Sequence, residues 1–240
     1  MKVEGVSNKG LVKSNNEDCY VIDDKYLFDT SFCYEKANLI FVCDGVSESK
    51  LGAYASKFVC DDISKNYNNI ISFTDEQLRK YFEGINDSLV KNCDKAYTTI
   101  AGIITTKNFL KVVNVGDSKV YRFREEILKQ LTTDDTYYEY LKRINDQKYE
   151  EYKNSHIITN CLGQNKFDKN SIHINNIEFG VMEKDIFLIC SDGVSDMVSR
   201  DYIVSVLLSK KSLKSKIKAL EKEVLKNGAI DNYTMILLEV

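Results

Sequence analysis

The sequence predicts a single α+β domain in which antiparallel sheets are combined with helices. Strand-like and helix-like runs occur in blocks along the chain, and they do not alternate as they would in a parallel βαβ sheet. No internal repeat, low-complexity linker or break in composition divides the 240 residues. Hydrophobic residues make up 43% of the chain, so a sizeable core can be buried.

The first half of the chain combines short strands with two helices. Apolar residues recur at helical spacing in residues 49–66 and 75–92, which predicts two amphipathic helices. Thr74 is the expected N-cap of the second helix, and Asp75 and Glu76 favour the positive end of the helix dipole. One strand is apolar enough to be buried on both faces. The expected strands are residues 3–7, 19–22 and 38–43.

The second half is dominated by strand patterns, interrupted by one polar segment. Residues 133–155 are rich in tyrosine and charge, and they predict a mobile, flap-like segment with a surface helix at 137–144. Residues 107–108 suit a tight hairpin connection. Two further helices are expected at 202–208 and 213–225. The expected strands are residues 98–106, 109–115, 119–124, 172–178, 186–190 and 233–240.

Composition and charge argue against several classes of function. The formal net charge of −3 gives no electrostatic case for nucleic acid. No apolar run approaches the roughly 20 residues of a membrane-spanning helix, and the first residues lack the apolar core of a secretory signal. The seven cysteines are scattered without a C-x-x-C pair, which favours reduced thiols. We therefore expect a cytoplasmic protein with no nucleic-acid or membrane partner.

Acidic residues stand on turns beside apolar runs at five places in the chain. A buried strand that ends in a carboxylate is costly unless the charge is paired or holds a cation. Each turn alone would be interpreted as an ordinary turn, cap or solvated surface. Together they predict one convergent site for Mg²⁺ or Mn²⁺, the cations that prefer hard oxygen ligands. The five are Asn16-Glu17-Asp18, Asp44-Gly45, Gly116-Asp117-Ser118, Ser191-Asp192-Gly193 and Asp231-Asn232.

The order and spacing of these motifs resemble the type-2C (PPM) protein serine/threonine phosphatases, in their bacterial form of a stand-alone catalytic domain. The resemblance runs from Gly5 to the last strand, so residues 1–240 are expected to form a single phosphatase domain. It implies a four-layer sandwich of two antiparallel β-sheets flanked by helices on both faces, with metals in a cleft at one end. Further matching stretches are Gly52-Ala53-Tyr54-Ala55-Ser56, Thr98-Thr99, Leu131-Thr132-Thr133-Asp134 and Ile158-Thr159-Asn160-Cys161-Leu162-Gly163.

The resemblance also implies a role for each acidic residue. Asp44 would be the catalytic, bridging ligand of two core ions, Mn²⁺ or Mg²⁺, and Asp18 would act directly or through a water. Asp117 matches a position that helps bind a third, weaker ion. Thr98-Thr99 and Ser191 would either support these ligands or simply pack in the strands. The implied metal ligands are Glu17, Asp18, Asp44, Gly45, Asp117, Asp192 and Asp231.

Three positions depart from the family pattern. Lys13 stands where the family usually has an arginine that grips the substrate phosphate, and it keeps the charge but loses the planar fork. We expect Lys13 to be the catalytic phosphate-binding residue, although it could also be an ordinary surface lysine. Val46-Ser47 replaces the histidine or methionine that often follows the bridging aspartate and its glycine, and Asp135 stands where histidine is frequent. Neither His156 nor His173 matches a catalytic position.

The implied function is a metal-dependent phosphoprotein phosphatase that hydrolyses phosphoserine and phosphothreonine by attack of a metal-bridging water. Its partners would be proteins that a serine/threonine kinase has phosphorylated, and the enzyme is expected to be a monomer. Because that nucleophile is a water, the cysteines should be dispensable for turnover. One alternative is a catalytically weak, phosphatase-like domain that binds a phosphoprotein as a regulator. Another is an enzyme for small phosphoesters.

Overall fold

Two antiparallel sheets, each with six strands among the described residues, stack face to face. The structure is a computed structural model that describes residues 1–46, 51–106, 109–153, 155–178 and 185–240. The strands are β1 (Lys2–Asn8), β2 (Cys19–Ile22), β3 (Lys25–Leu27), β4 (Ser31–Tyr34), β5 (Leu39–Cys43), β6 (Ile100–Thr105), β7 (Phe109–Val115), β8 (Lys119–Arg124), β9 (Ile127–Gln130), β10 (His173–Glu178), β11 (Ile186–Cys190) and β12 (Tyr233–Glu239).

Helices cover the outer face of each sheet. The first sheet has the order β4-β1-β12-β11-β8-β9 and the second the order β10-β7-β6-β5-β2-β3. The helices are α1 (Gly52–Ile70), α2 (Asp75–Asn92), α3 (Tyr137–Arg143), α4 (Asp192–Ser195), α5 (Arg200–Leu208) and α6 (Leu213–Lys226). Apolar side chains of α1 and α2 pack on the second sheet, and those of α5 and α6 on the first. The predicted four-layer α+β sandwich is therefore confirmed.

A third apolar cluster fills the space between the two sheets. Val120, Phe187 and Ile236 of the first sheet meet Tyr20 and Val42 of the second. These strands are buried on both faces because each sheet has a helical layer outside and the other sheet inside. This explains the continuous apolar run of β5, whose residues are all buried.

The helix boundaries follow the sequence signals closely. Thr74 caps α2 with a capping box, in which its hydroxyl accepts from the Gln77 amide at 3.3 Å and the Gln77 side chain accepts from the Thr74 amide at 2.8 Å. Helix α1 extends to Ile70, beyond the expected end at residue 66, because Ile70 is itself buried. The predicted start of that helix at Ser49 and the predicted hairpin at 107–108 lie outside the described residues.

Three short strands were not expected from the sequence. Strands β3 and β4 each form the edge of a sheet, and β9 forms the other edge of the first. Each is only three or four residues long and partly exposed, so its apolar pattern is weak. In the polar segment the predicted helix at 137–144 is confirmed as α3. The predicted mobility of residues 133–155 stays a prediction.

The acidic turns all lie at one end of the sandwich. Cys19, at the start of β2, is paired with Cys43, at the end of β5, so the preceding Asp18 and the following Asp44 are neighbours. In the first sheet, Cys190 ends β11 beside Lys119, which begins β8. Antiparallel pairing thus brings distant parts of the chain to one edge. Within the described ranges, no helix combines the length and apolar character needed to cross a bilayer.

Candidate metal centre and active site

The carboxylate of Asp18 joins the two sheets at this end of the molecule. Asp18 belongs to the second sheet, and its Oδ2 accepts hydrogen bonds from Ser191 Oγ and Thr234 Oγ1 of the first sheet, each at 2.8 Å. Ser191 Oγ in turn accepts from the Thr234 amide at 3.0 Å. All three side chains are fully buried. Of the two interpretations of Ser191, direct support of a site carboxylate is the one that its contacts favour.

The backbone of Asp44 is held from the start of β6. Thr98 Oγ1 and the Thr99 amide donate to the Asp44 carbonyl at 2.9 and 2.8 Å, and the Asp44 amide donates to Thr99 Oγ1. These bonds point the side chain of Asp44 into the end of the sandwich among the other carboxylates. Thr98 and Thr99 therefore also support a candidate ligand directly.

Negative charge is concentrated at this end of the sandwich without enough positive charge nearby to compensate it. Burial and the charge of Asp192 raise the pKa of Asp18 to about 7, although the hydroxyls that it accepts from lower it. Burial and the Asp192 charge likewise raise the pKa of Asp117 to about 7. Burial, then the charges of Asp18, Asp192 and Asp117, raise the pKa of Asp44 well above its ordinary value. Such mutual repulsion is what a bound cation relieves.

Two buried oxygens of this cluster lack a hydrogen-bond donor among the described residues. They are Oδ1 of Asp18 and Oδ1 of Asp117. An unsatisfied buried carboxylate oxygen is costly, so each calls for a partner that the described part of the chain does not supply. The carboxylates of this cluster offer hard oxygen atoms as metal ligands, which fits Mg²⁺ or Mn²⁺. The residues present therefore fit a site for divalent cations.

Glu17 and Gly45 lie side by side at the mouth of the cluster. The Gly45 amide donates to the Glu17 carbonyl at 3.2 Å, and the Glu17 amide donates to Asn232 Oδ1 at 2.8 Å. A Cβ on Gly45 would approach the backbone carbonyl of Gly52 to 2.4 Å, so only glycine fits this position. The structure thus brings Glu17, Gly45 and the Asp231-Asn232 turn together, as the sequence predicted.

Lys13 reaches the same cluster. Its Nζ lies 3.0 Å from Asp231 Oδ1, and both side chains are partly exposed. Burial opposes the charge of Lys13, but the hydrogen bond and charge of Asp231, together with the charges of Glu17 and Asp44, raise its pKa. A cation at the rim of a carboxylate cluster is well placed to meet an anionic substrate. This position favours the phosphate-binding interpretation over that of an ordinary surface lysine.

Two residues near the candidate ligands, His156 and Asp196, were not expected from the sequence. His156 Nδ1 lies 3.2 Å from Asp196 Oδ2, and the candidate ligand atoms of His156, Asp192 and Asp196 lie within 4.8 Å of one another. Asp196 follows Asp192 by one helical turn, so i, i+4 spacing could have placed it on the same face. His156 carries no comparable signal, because only the fold of the polar segment brings it back to the site.

Asp135 ties the polar segment to the turn that bears Asp117. Its Oδ2 accepts from the Gly116 amide at 3.0 Å and from Asn160 Nδ2 at 3.1 Å, and its Oδ1 lies 2.8 Å from His173 Nε2. The Asp135 amide also donates to the Gly116 carbonyl at 3.0 Å. The carboxylate that stands in place of histidine therefore has a structural role, which is to hold the Gly116 amide, while the Gly116 carbonyl is held by the backbone of residue 135.

Comparison with known proteins identifies the family. The model of the protein phosphatase 2C family matches residues 18–227. The chain belongs to this family. The expected enzyme class, a protein serine/threonine phosphatase, is thereby confirmed.

Individual relatives agree in length and fold. The serine/threonine phosphatase stp of Listeria welshimeri is 25% identical over 253 residues, covering 100% of this chain and 96% of the relative. The crystal structure of the Mycobacterium tuberculosis phosphatase PstP/Ppp is 24% identical and has the same fold, with a TM-score of 0.82 over 100% of this chain and 99% of that one. A structure of the PstP catalytic domain in complex with two manganese ions is 25% identical, with a TM-score of 0.78 and the same coverage.

The repulsion in the cluster leads to a stability prediction for Asp44→Asn in the presence of EDTA. The raised pKa of Asp44 means that its charged form destabilises the folded state above that pKa, and that protonation removes the penalty at low pH. Asparagine carries no charge, so the variant should melt at least roughly 2–4 °C higher than wild type near pH 8, the shift that about 1 kcal/mol produces.

The same gain should shrink as the pH is lowered from about 8 to about 5, because a raised pKa means that Asp44 takes up its proton earlier in the folded than in the unfolded chain, which removes the repulsion. Differential scanning calorimetry at the two pH values measures the effect. Asp87→Asn, on the exposed side of α2, is the control and should show no pH-dependent gain. An Asp44→Asn protein that melts below wild type near pH 8 would contradict the picture of uncompensated charge.

Proposed function

We propose that this chain hydrolyses phosphoserine and phosphothreonine in proteins, using two core ions of Mn²⁺ or Mg²⁺ and attack by a water that bridges them. The observation that carries the proposal is the carboxylate cluster, in which the buried Oδ1 of Asp18 and the buried Oδ1 of Asp117 have no donor among the described residues. Membership of the phosphatase 2C family and the manganese complex of the related PstP domain support the choice of reaction and metal.

The cations would be held by side chains that the fold already brings together. Asp44 would bridge them, with the Gly45 carbonyl on one ion. Asp192 and Asp231 would hold one of the two ions together with Asp44, from the side of the first sheet. Glu17, and Asp18 directly or through a water, would hold the other. Asp117 would contribute to a third, weaker ion beside Asp192.

When bound, two cations neutralise phosphoryl oxygens and lower the pKa of the water that they share, which is how stable phosphate esters become hydrolysable near neutral pH. The protein's own groups do the rest. Ser191 and Thr234 orient Asp18 by donating to Oδ2, so that Oδ1, which has no donor within the described ranges, would be available to a cation. Lys13 would bind and orient the phosphate from the rim, next to Asp231.

The wider biological setting also stays a prediction. The phosphoproteins would be products of a serine/threonine kinase, and the enzyme would act as a cytoplasmic monomer that uses no nucleic-acid or membrane partner. Residues 133–155 would form a mobile, flap-like segment beside the site. His156 lies just beyond this segment and contacts Asp196, which places the end of the segment near the carboxylates.

The first test is the metal requirement. A phosphothreonine peptide should be hydrolysed in the presence of Mn²⁺ and not in excess EDTA, because the site is built of carboxylates that need a cation. Phosphate release measures the rate. Full activity in EDTA would overturn the metal mechanism, whereas metal-dependent peptide binding without turnover would favour the alternative of a phosphoprotein-binding regulator.

The second test concerns the ligands. Asp44→Asn and Asp192→Asn should each lower kcat by orders of magnitude while the fold is retained, since asparagine keeps the shape but loses the charge that holds the metals. Circular dichroism checks the fold, and Asp87→Asn is the matched control. A variant that stays within about tenfold of wild type, a barrier difference of ~1.4 kcal/mol, would show that the ligand assignment is wrong.

The third test concerns phosphate binding by Lys13. Lys13→Ala should raise KM for a phosphopeptide, while Lys13→Arg should keep or lower it, because a guanidinium offers two parallel hydrogen bonds where an ammonium acts as a point charge. Steady-state kinetics at saturating Mn²⁺ separates KM from kcat. Equal KM for Lys13→Ala and wild type would return Lys13 to the role of a surface lysine.

A further inference from the structure

Three large aliphatic side chains are exposed beside Lys13, the proposed phosphate-binding residue. Leu11 and Val12 are 66% and 67% exposed, and Ile230 is 54% exposed. They lie on two different segments, the turn before Lys13 and the turn before Asn232. We refer to Leu11, Val12 and Ile230 as the apolar rim.

The two segments of the apolar rim are fastened to each other. The Leu11 amide donates to the Ala229 carbonyl at 2.9 Å, and Lys13 pairs with Asp231, so Ile230 lies between two points at which the segments are joined. Asn232 Nδ2 donates to the carbonyls of Lys9 and Asn15, each at 2.9 Å, which closes the turn from both ends.

Gly10 shows how closely the segments approach. It has a φ of +77°, and a Cβ there would come within 2.4 Å of the Asp231 carbonyl oxygen. The backbone under the rim is thus held by specific contacts. These backbone contacts hold the side chains of the apolar rim in solvent-exposed positions.

A single exposed aliphatic residue is ordinary in a folded protein and needs no explanation. Three exposed aliphatic side chains on two turns that are joined by a hydrogen bond and an ion pair, next to a site for a charged group, are a different case, because exposed apolar side chains gathered at a polar site indicate an interaction surface. Nothing in the electrostatics of the cluster requires them. A polar residue at either position 11 or position 230 would keep the same backbone hydrogen bonds.

The position of the rim restricts what can cover it. The rim is continuous with the proposed phosphate site, since Val12 precedes Lys13 and Ile230 precedes Asp231 in the chain. A polypeptide whose phosphorylated side chain reaches Lys13 must run its adjoining residues past these turns. A small phosphoester would leave the rim uncovered.

We propose that the apolar rim recognises an aliphatic side chain close to the phosphorylated residue of the substrate polypeptide. The inference rests on the proposed function and deepens it, because it names the substrate class as phosphoserine or phosphothreonine segments with a leucine-like neighbour. The free energy comes from removing aliphatic surface of both partners from water, so it is independent of the metal chemistry.

The test combines substrate and enzyme variants. Phosphothreonine peptides in a glycine-serine background would carry a single leucine, moved through the positions on either side of the phosphothreonine, and the all-glycine-serine peptide is the reference. The enzymes are wild type, Leu11→Ser/Ile230→Ser and the control Ile127→Ser. Ile127 is also 66% exposed but pairs with Arg124, at the end of β8 remote from Lys119 and the site.

Wild type should prefer one leucine position by about fivefold or more in kcat/KM, the scale expected from burying part of an aliphatic side chain. The preference should disappear in Leu11→Ser/Ile230→Ser and remain in Ile127→Ser, and the melting temperatures should confirm that all three proteins fold. Hydrolysis without any leucine preference, or a preference that survives in the double variant, would overturn the proposal.

Failure of the proposed function gives a different result. In that case no peptide is hydrolysed by the manganese-loaded protein at all. Fluorescence anisotropy with the same peptides then decides the question of the rim. Leucine-dependent binding that is lost in the double variant would uphold it, and its absence would overturn it.

Discussion

The hydrogen bonds from Ser191 and Thr234 to the Asp18 carboxylate are the contact on which the site depends. They join the two sheets at the end where the acidic turns meet, and they use one carboxylate oxygen while leaving the other without a donor among the described residues. A fully buried carboxylate in this setting costs free energy unless a cation completes it. The same contact therefore joins the sheets and orients one candidate ligand, so that the position of Asp18 relative to Asp192 follows from the packing of the sandwich.

The clustered carboxylates that the proposed chemistry needs destabilise the folded protein at this end of the sandwich. Burial and mutual repulsion raise the pKa values of Asp18, Asp44 and Asp117, which means that the folded chain holds protons there that the unfolded chain would release. Binding of a divalent cation would displace those protons and turn the repulsion into attraction. The surrounding apolar layers and the hydrogen bonds at Asp44 supply the rigidity that keeps like charges close together.

Much of this arrangement could be predicted because its signals are local. A turn with a carboxylate beside a buried strand is visible in the sequence at Asp44 and Asp192, and antiparallel pairing is enough to bring such turns to one edge. The short edge strands β3, β4 and β9 could not be predicted, since a strand of three or four partly exposed residues has too little apolar pattern. His156 was missed for a different reason, because its approach to Asp196 depends on how a polar segment folds back over the site.

Asp135 departs from the family pattern, and its carboxylate makes hydrogen bonds that hold neighbouring parts of the fold together. Where a histidine is frequent, the Asp135 carboxylate accepts from the Gly116 amide and contacts His173. The Asp135 amide donates to the Gly116 carbonyl, and the Asp135 carbonyl accepts from the Thr159 amide. One residue thereby joins the start of the polar segment, its return toward His156, and the turn that carries Asp117. Because Gly116 is held on both its amide and its carbonyl, the orientation of Asp117 is coupled to the anchoring of that segment.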